Sequence, residues 1–332
     1  KRTYDNKGIT SSGEPDLTNN RGFILENQFG LTIYPFLKTG DDLNSFYRVM
    51  LVDRDITPET KHNNYELHFH KNSENELIKY NAKKVRSSKV SENVTSNFFI
   101  VEKEFDYIEV KHNNASGIAI PLYPPVKSGT EEFAFAIDFG TTNTHIEYTK
   151  DFDTKIPKER KTDIFEITST DKQIATFHDS SQEETALALN AIIIYDLIQQ
   201  EFLPETIGKG SEFRFPQRTI LGHHEAVEIN KPTFALADFN IPFIYEKESI
   251  YRGTKVKTNL KWSNYVSKVD GELNPDEIRI EAFFEELILL IRNKVLMNNG
   301  KLSATRLIWF YPSSMIEDRR NQLENIWQKL FN

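Results

Sequence analysis

Asp138 closes a short apolar run, Phe133 to Asp138, and a small, hydroxyl-rich stretch follows it: Phe139-Gly140-Thr141-Thr142-Asn143-Thr144. A carboxylate delivered by a buried strand and followed by a turn of small residues suits a phosphate and its cation. Gly140 lets the backbone approach a ligand closely and adopt positive φ. Successive amides, with the Thr141 and Thr142 hydroxyls, form a concavity for an anion. Asp138 is placed to hold Mg²⁺ through water, because Mg²⁺ keeps several of its waters. Asn143 is either a further polar group facing the ligand or a residue that closes the turn with its own side chain.

Other candidates are weaker. His68 and His70 share one face of a predicted strand, but no third metal ligand is evident and alternation already explains them as solvent-facing. Gly208-Lys209-Gly210-Ser211 breaks the spacing of a phosphate-binding P-loop and reads as an ordinary loop. Asp138-Phe139-Gly140 also occurs in protein kinases, but the upstream Gly-rich loop, strand lysine and His-Arg-Asp loop that such an enzyme needs are absent. The chain has no cysteine, which excludes disulfides, thiolate zinc sites and cysteine nucleophiles.

The elements that must position Asp138 fall into two parts. Residues 1–21 read as a flexible leader of Gly, Ser, Asn, Asp and Pro. Residues 22–125 read as an all-β, sandwich-like domain of six or seven short strands. Tyr65-Glu66-Leu67-His68-Phe69-His70 alternates at period two, as do Tyr47, Val49 and Leu51, and Pro35 predicts an edge or bulge after Leu31 and Ile33. Residues 126–132, which follow Pro124-Pro125, read as a linker.

Residues 133–332 read as α/β. Phe133–Asp138 and His145–Thr149 predict a hairpin, and Phe213–Leu221 a further strand. Glu183–Phe202 has helical period, with Leu187, Ala191, Ile194 and Ile198 on one stripe. Asn274-Pro275-Asp276-Glu277 predicts the start of a helix that runs to about Asn298, with Gly300 past its end. Thr305–Tyr311 predicts a buried strand, and Ser314-Met315-Ile316-Glu317 a capping box that opens a last helix.

Composition bounds the function. The 332 residues carry a net charge of −8. Residues 1–130 hold 17 groups of each sign, so the whole deficit belongs to residues 131–332. An acidic surface repels a phosphate backbone, so no nucleic-acid partner is expected. No apolar run approaches the ~20 residues of a membrane span, so no membrane partner is expected and a cytoplasmic location is.

The Ile137-to-Thr144 segment, Ile-Asp-Phe-Gly-Thr-Thr-Asn-Thr, resembles the first phosphate motif of the actin-like ATPase superfamily, which includes actin, DnaK-type heat-shock chaperones, bacterial filament proteins and sugar kinases. It is most similar to the chaperone form, Ile-Asp-Leu-Gly-Thr-Thr-Asn-Ser. Phe215-Pro216-Gln217-Arg218-Thr219-Ile220 is similar to the strand that follows the hairpin in that group. Thr254 to Lys261 looks like the segment whose lysine reaches the phosphates, with Lys257 the first choice, and the one candidate for a catalytic role, and Lys261 the second. Leu307 to Pro312 and then Asp318-Arg319-Arg320 resemble the later strand and helix.

This resemblance covers residues 133–332 and implies the first lobe of an actin-like fold, a mixed sheet with helices. Its ligands would be ATP and Mg²⁺, with Asp138, Gly140, Thr141, Thr142, Asn143 and Lys257 at the site. The family's second lobe, with its second phosphate turn, adenosine pocket and chaperone glutamate, does not follow, so the chain alone is expected to bind nucleotide weakly. The implied function is a switch driven by Mg·ATP binding and slow hydrolysis and coupled to a protein partner held by the β domain. The alternatives are a non-catalytic scaffold or filament module, and a sugar-kinase-like phosphotransferase.

Overall fold

The structure is a computed structural model that describes residues 29–38, 47–53, 65–71, 77–78, 80–87, 95–101, 103–112, 115–124, 129–150, 161–171, 174–177, 203–211, 213–222, 256–263, 268–269, 272–273 and 275–331. The predicted leader and the predicted helix over 183–202 lie outside these residues. The architecture is mixed α/β, with several sheets and few helices. The chain divides into two compact units, Lys1–Pro125 with Ala175–Tyr195, and Val126–Ile174 with Asp196–Asn332.

The first unit contains two antiparallel sheets. One has the order β12 (Ala175–Phe177), β1 (Phe29–Tyr34), β2 (Tyr47–Asp53), β6 (Thr95–Val101), β5 (Tyr80–Ser87). The other runs β4 (Leu77–Ile78), β3 (Tyr65–His70), β7 (Tyr107–His112), β8 (Ala115–Ala119). Leu31, Ile33, Tyr47, Val49 and Leu51 from the first sheet share one apolar cluster with Leu67, Phe69, Ile108 and Val110 from the second. Phe105 bridges it, with its ring 5.0 Å from both Tyr47 and Phe69. Burying each such side chain stabilises the unit by roughly 1.5–3 kcal/mol.

Alternation holds along β3, where Tyr65, Leu67 and Phe69 are buried and Glu66, His68 and His70 are not. It fails along β2, where Arg48 and Met50 are as buried as Tyr47, Val49 and Leu51. Both faces of that strand are covered, so the apolar/polar pattern no longer reports which side is inside. Nor is β1 an edge. Residues 175–177, which fall in the stretch that reads as α/β in sequence, pair with it from Leu31 to Ile33. Pro35 lies just past Tyr34, so its missing N–H costs no ladder bond.

The second unit is built on a mixed sheet of order β11 (Asp163–Ile164), β10 (Asn143–Lys150), β9 (Phe133–Phe139), β18 (Arg306–Phe310), with β13 (Gln217–Arg218) also pairing β10. β9 and β10 form an antiparallel hairpin, and β18 lies parallel to β9. Short pairs join β14 (Leu221–Gly222) to β15 (Val256–Lys257), and β16 (Lys268–Val269) to β17 (Glu272–Leu273). Phe133, Phe135, Ile137 and Phe139 alternate into the core.

Helix α1 (Pro275–Met297) covers that core, with Phe284 edge-on to Phe139 at 4.7 Å and stacked on Trp327 of α2 (Glu317–Phe331) at 3.9 Å. α1 starts at its proline and stops as its flanks predict. Asn299 is left-handed at φ 58°, and the Gly300 amide bonds the Val295 carbonyl at 2.8 Å. A Cβ on Gly300 would lie 2.7 Å from that carbonyl oxygen, so the tight exit requires glycine.

Three expectations are corrected. The strand predicted over Thr305–Tyr311 forms as Arg306–Phe310 but is not buried: Arg306, Ile308 and Phe310 are exposed and Leu307 and Trp309 half-buried, so its apolar run does not report core contact. Phe213–Leu221 is not one strand: only Gln217–Arg218 and Leu221–Gly222 pair, and Phe213 and Phe215 are buried anchors of a loop. Their apolar character reflects core contact, such as Phe215 against Phe165 at 5.4 Å, and not a ladder. The capping box before α2 does not form. The Met315 amide bonds Pro312, and the Arg319 and Arg320 amides bond Ile316, so the helix opens three residues after Ser314.

Candidate functional site

The turn between β9 and β10 is held from three directions. From within, the Gly140 amide donates to the Asp138 carbonyl at 3.1 Å, and an added Cβ on Gly140 would lie 2.2 Å from the Asn143 carbonyl oxygen. Backbone occupies that space, so the turn has this shape only with glycine. The reason differs from the expected one: Gly140 does not have a positive φ, and the close approach is by the chain's own carbonyl. From β13, Asn143 and Thr144 pair with Arg218 and Gln217. The Thr219 amide bonds the Thr142 carbonyl at 2.8 Å, and the buried hydroxyls of Thr144 and Thr219 meet at 2.7 Å.

The third support is a single 3₁₀ turn, Leu260–Trp262. The Trp262 indole N–H donates to the Thr141 hydroxyl at 2.7 Å. Leu260 anchors the turn in the core and Asn259 enters it in a left-handed conformation at φ 62°. An Arg319 guanidinium N–H donates to the carbonyls of Lys261 and Ser263 from the first turns of α2.

Lys261 is only 6% exposed. Burial pulls its amine below the usual lysine range, and the Asp138 carboxylate partly offsets that shift. The charge of this lysine, the second choice of the sequence, is thus felt by Asp138. Lys257 contributes backbone to β15 opposite Leu221, and its side chain lies outside the described residues.

Asp138, Thr141, Thr142 and Asn143 are exposed around this turn, and Gly140 is half-buried. Asp138 is registered between His145 on β10 and Phe310 on β18. Because β9 and β18 run parallel, their carboxyl ends share one edge of the sheet, where ligands of α/β sheets bind. His145 Nε2 is 3.3 Å from the Glu147 carboxylate, which accepts from the Thr162 hydroxyl at 2.7 Å. The Thr162 hydroxyl and then His145 hold Glu147 below the usual carboxylate range.

The two histidines of β3 each lie beside a carboxylate. His70 stacks on Tyr107 at 4.7 Å and lies 3.3 Å from Glu109, while His68 is 3.4 Å from Glu66. Among the described residues no group of three or more His, Cys, Asp or Glu side chains is arranged to hold a metal. No helix among them is long and apolar enough to cross a membrane.

Trp262, Thr219 and Arg319 were not assigned to the site from sequence. A tryptophan beside a lysine in a polar stretch was the available signal for Trp262. Thr219 and Arg319 lie in segments that carry the resemblance, but their hydrogen bonds to Thr142, Thr144, Lys261 and Ser263 join segments far apart in the chain. No family model, no curated protein and no solved structure matches the chain.

Proposed function

We propose that the second unit binds the phosphates of Mg·ATP at the Gly140–Asn143 turn, and that binding and slow hydrolysis act as a switch coupled to a protein partner recognised through the first unit. The observation that carries this reading is a glycine–threonine turn, braced by the Trp262–Thr141 and Thr219–Thr142 hydrogen bonds, that follows directly on the exposed carboxylate of Asp138. The order hairpin, helix α1, parallel strand β18, helix α2 also agrees with what the resemblance to an actin-like first lobe implies.

The residues fit the ligand. The exposed Thr141 and Thr142 hydroxyls with the turn's amides offer donors to phosphate oxygens. Mg²⁺, when bound, would neutralise developing charge on the phosphates, held by Asp138 through water. Lys261 supplies a compact positive charge that acts on Asp138. Such chemistry is mostly positioning and charge stabilisation, which a braced turn provides.

The test is calorimetric titration of Mg·ATP into the protein beside Asp138→Ala. Binding that the variant loses supports the reading, and equal behaviour of the two proteins overturns it.

A further inference from the structure

We propose that Trp262 is a positioning residue for the ligand: its indole N–H fixes the Thr141 hydroxyl as a hydrogen-bond donor to a phosphate oxygen. This rests on the phosphate reading of the turn.

An indole N–H only donates, whereas a hydroxyl has one donor and two acceptor sites. At 2.7 Å, Trp262 occupies an acceptor site of Thr141 Oγ1. The hydroxyl's own hydrogen must then point elsewhere, and Thr141 is exposed. A group facing outward as a donor is matched to an anion. The same 3₁₀ turn therefore separates two tasks. Lys261 acts on Asp138, where a cation would be held, and the next residue turns Thr141 toward phosphate. Hydrogen bonds in series also polarise one another, so the donated bond strengthens Thr141 as a donor.

The brace is independent of the ligand, because Leu260 is fully buried and Arg319 holds the carbonyls on either side of Trp262. The indole is 39% exposed, so an anion arriving at Thr141 changes its surroundings.

The experiment titrates magnesium pyrophosphate into the 332-residue chain, its W262F and T141V variants and the double variant, reading affinity by calorimetry and tryptophan emission in parallel. Pyrophosphate needs the turn and no adenosine pocket. The expected result is about tenfold weaker binding for each single variant, typical of one hydrogen bond to a charged group, and no further loss in the double variant. The emission change should also vanish in T141V, which keeps Trp262; a purely structural tryptophan would not behave so. If W262F fails to fold, T141V and its emission carry the same test. Wild-type binding with W262F within about twofold, or losses that add in the double variant, overturns this inference and leaves the phosphate reading standing. No wild-type binding of either pyrophosphate or Mg·ATP overturns both.

Discussion

The Lys294 ammonium lies 3.0 Å from the Asp171 carboxylate, and each side chain is only 4% exposed. The carboxylate also accepts from the Thr168 amide at 2.6 Å and the Asn298 amide at 2.7 Å, so its lone pairs are well used. Lys294 sits over the Tyr148 ring at 5.6 Å. The pair ties the segment after β11 to α1 within the second unit. Removing one partner leaves a buried charge unanswered, which costs about 3–5 kcal/mol. Asp171→Ala should therefore lower the urea midpoint strongly. Asp171→Ala with Lys294→Met should recover much of the loss, because no charge then remains buried. If the double variant is no better than the single one, packing and not charge is what the pair contributes.

Acid should unfold the second unit through the same carboxylate. Burial by itself raises the Asp171 pKa, but the Thr168 amide, the Lys294 charge and the hydrogen bonds from Lys294 and Asn298 hold it below its ordinary 3.8. Glu147 is likewise held below its ordinary 4.5 by Thr162 and His145. Between a lowered folded value and the ordinary unfolded one, the unfolded chain binds more protons, so stability rises with pH there. The contribution is complete above the ordinary values and is lost as pH falls through the folded ones. Denaturation monitored from pH 6 down to about pH 2 should show this slope, and Asp171→Asn should flatten it. An unchanged slope in the variant would remove Asp171 from the account.

Gly140→Ala should abolish phosphate binding and also lower stability. The new Cβ would stand 2.2 Å from the Asn143 carbonyl oxygen, which cannot move without disturbing the Asn143–Arg218 pairing. A clash with backbone at a tight turn falls in the range of about 1–3 kcal/mol. Thermal melting and pyrophosphate titration check the two effects together. An alanine variant that melts and binds like the wild type would mean the turn has room that the structure denies.

Much of this site was legible because it is local. An apolar run, a carboxylate, glycine and two threonines specify strand, turn and strand within twelve residues, and Pro275 and Gly300 punctuate α1 by their own backbone chemistry. What sequence could not show is non-local. β12 adds to β1 across more than a hundred residues, and the Trp262–Thr141 bond spans 121 positions. The Ser314 box does not form because the helix starts at Glu317, which leaves Ser314 outside the N-cap position. Arg48 shows the same limit from the other side: a charged residue in an alternating strand reads as exposed, and here it is 1% exposed.

Lys261 gives opposite expectations for binding and stability. Lys261 is buried at an energetic cost, since its amine is pulled below the ordinary lysine value of 10.5 and the attraction of Asp138 only partly offsets this. A residue that disfavours its own charged form in the free protein is retained at a cost that a bound anion would repay. Lys261→Met keeps the aliphatic stem and removes the charge. It should leave the melting temperature unchanged or higher while weakening Mg·ATP binding by about tenfold or more. Lys257→Met serves as the comparison, because Lys257 is the first-choice lysine of the sequence. Paired melting curves and titrations decide the matter. A Lys261→Met protein that loses stability and keeps its affinity would make Lys261 a structural partner of Asp138, and a loss of affinity confined to Lys257→Met would return the phosphate-binding role to the first-choice lysine.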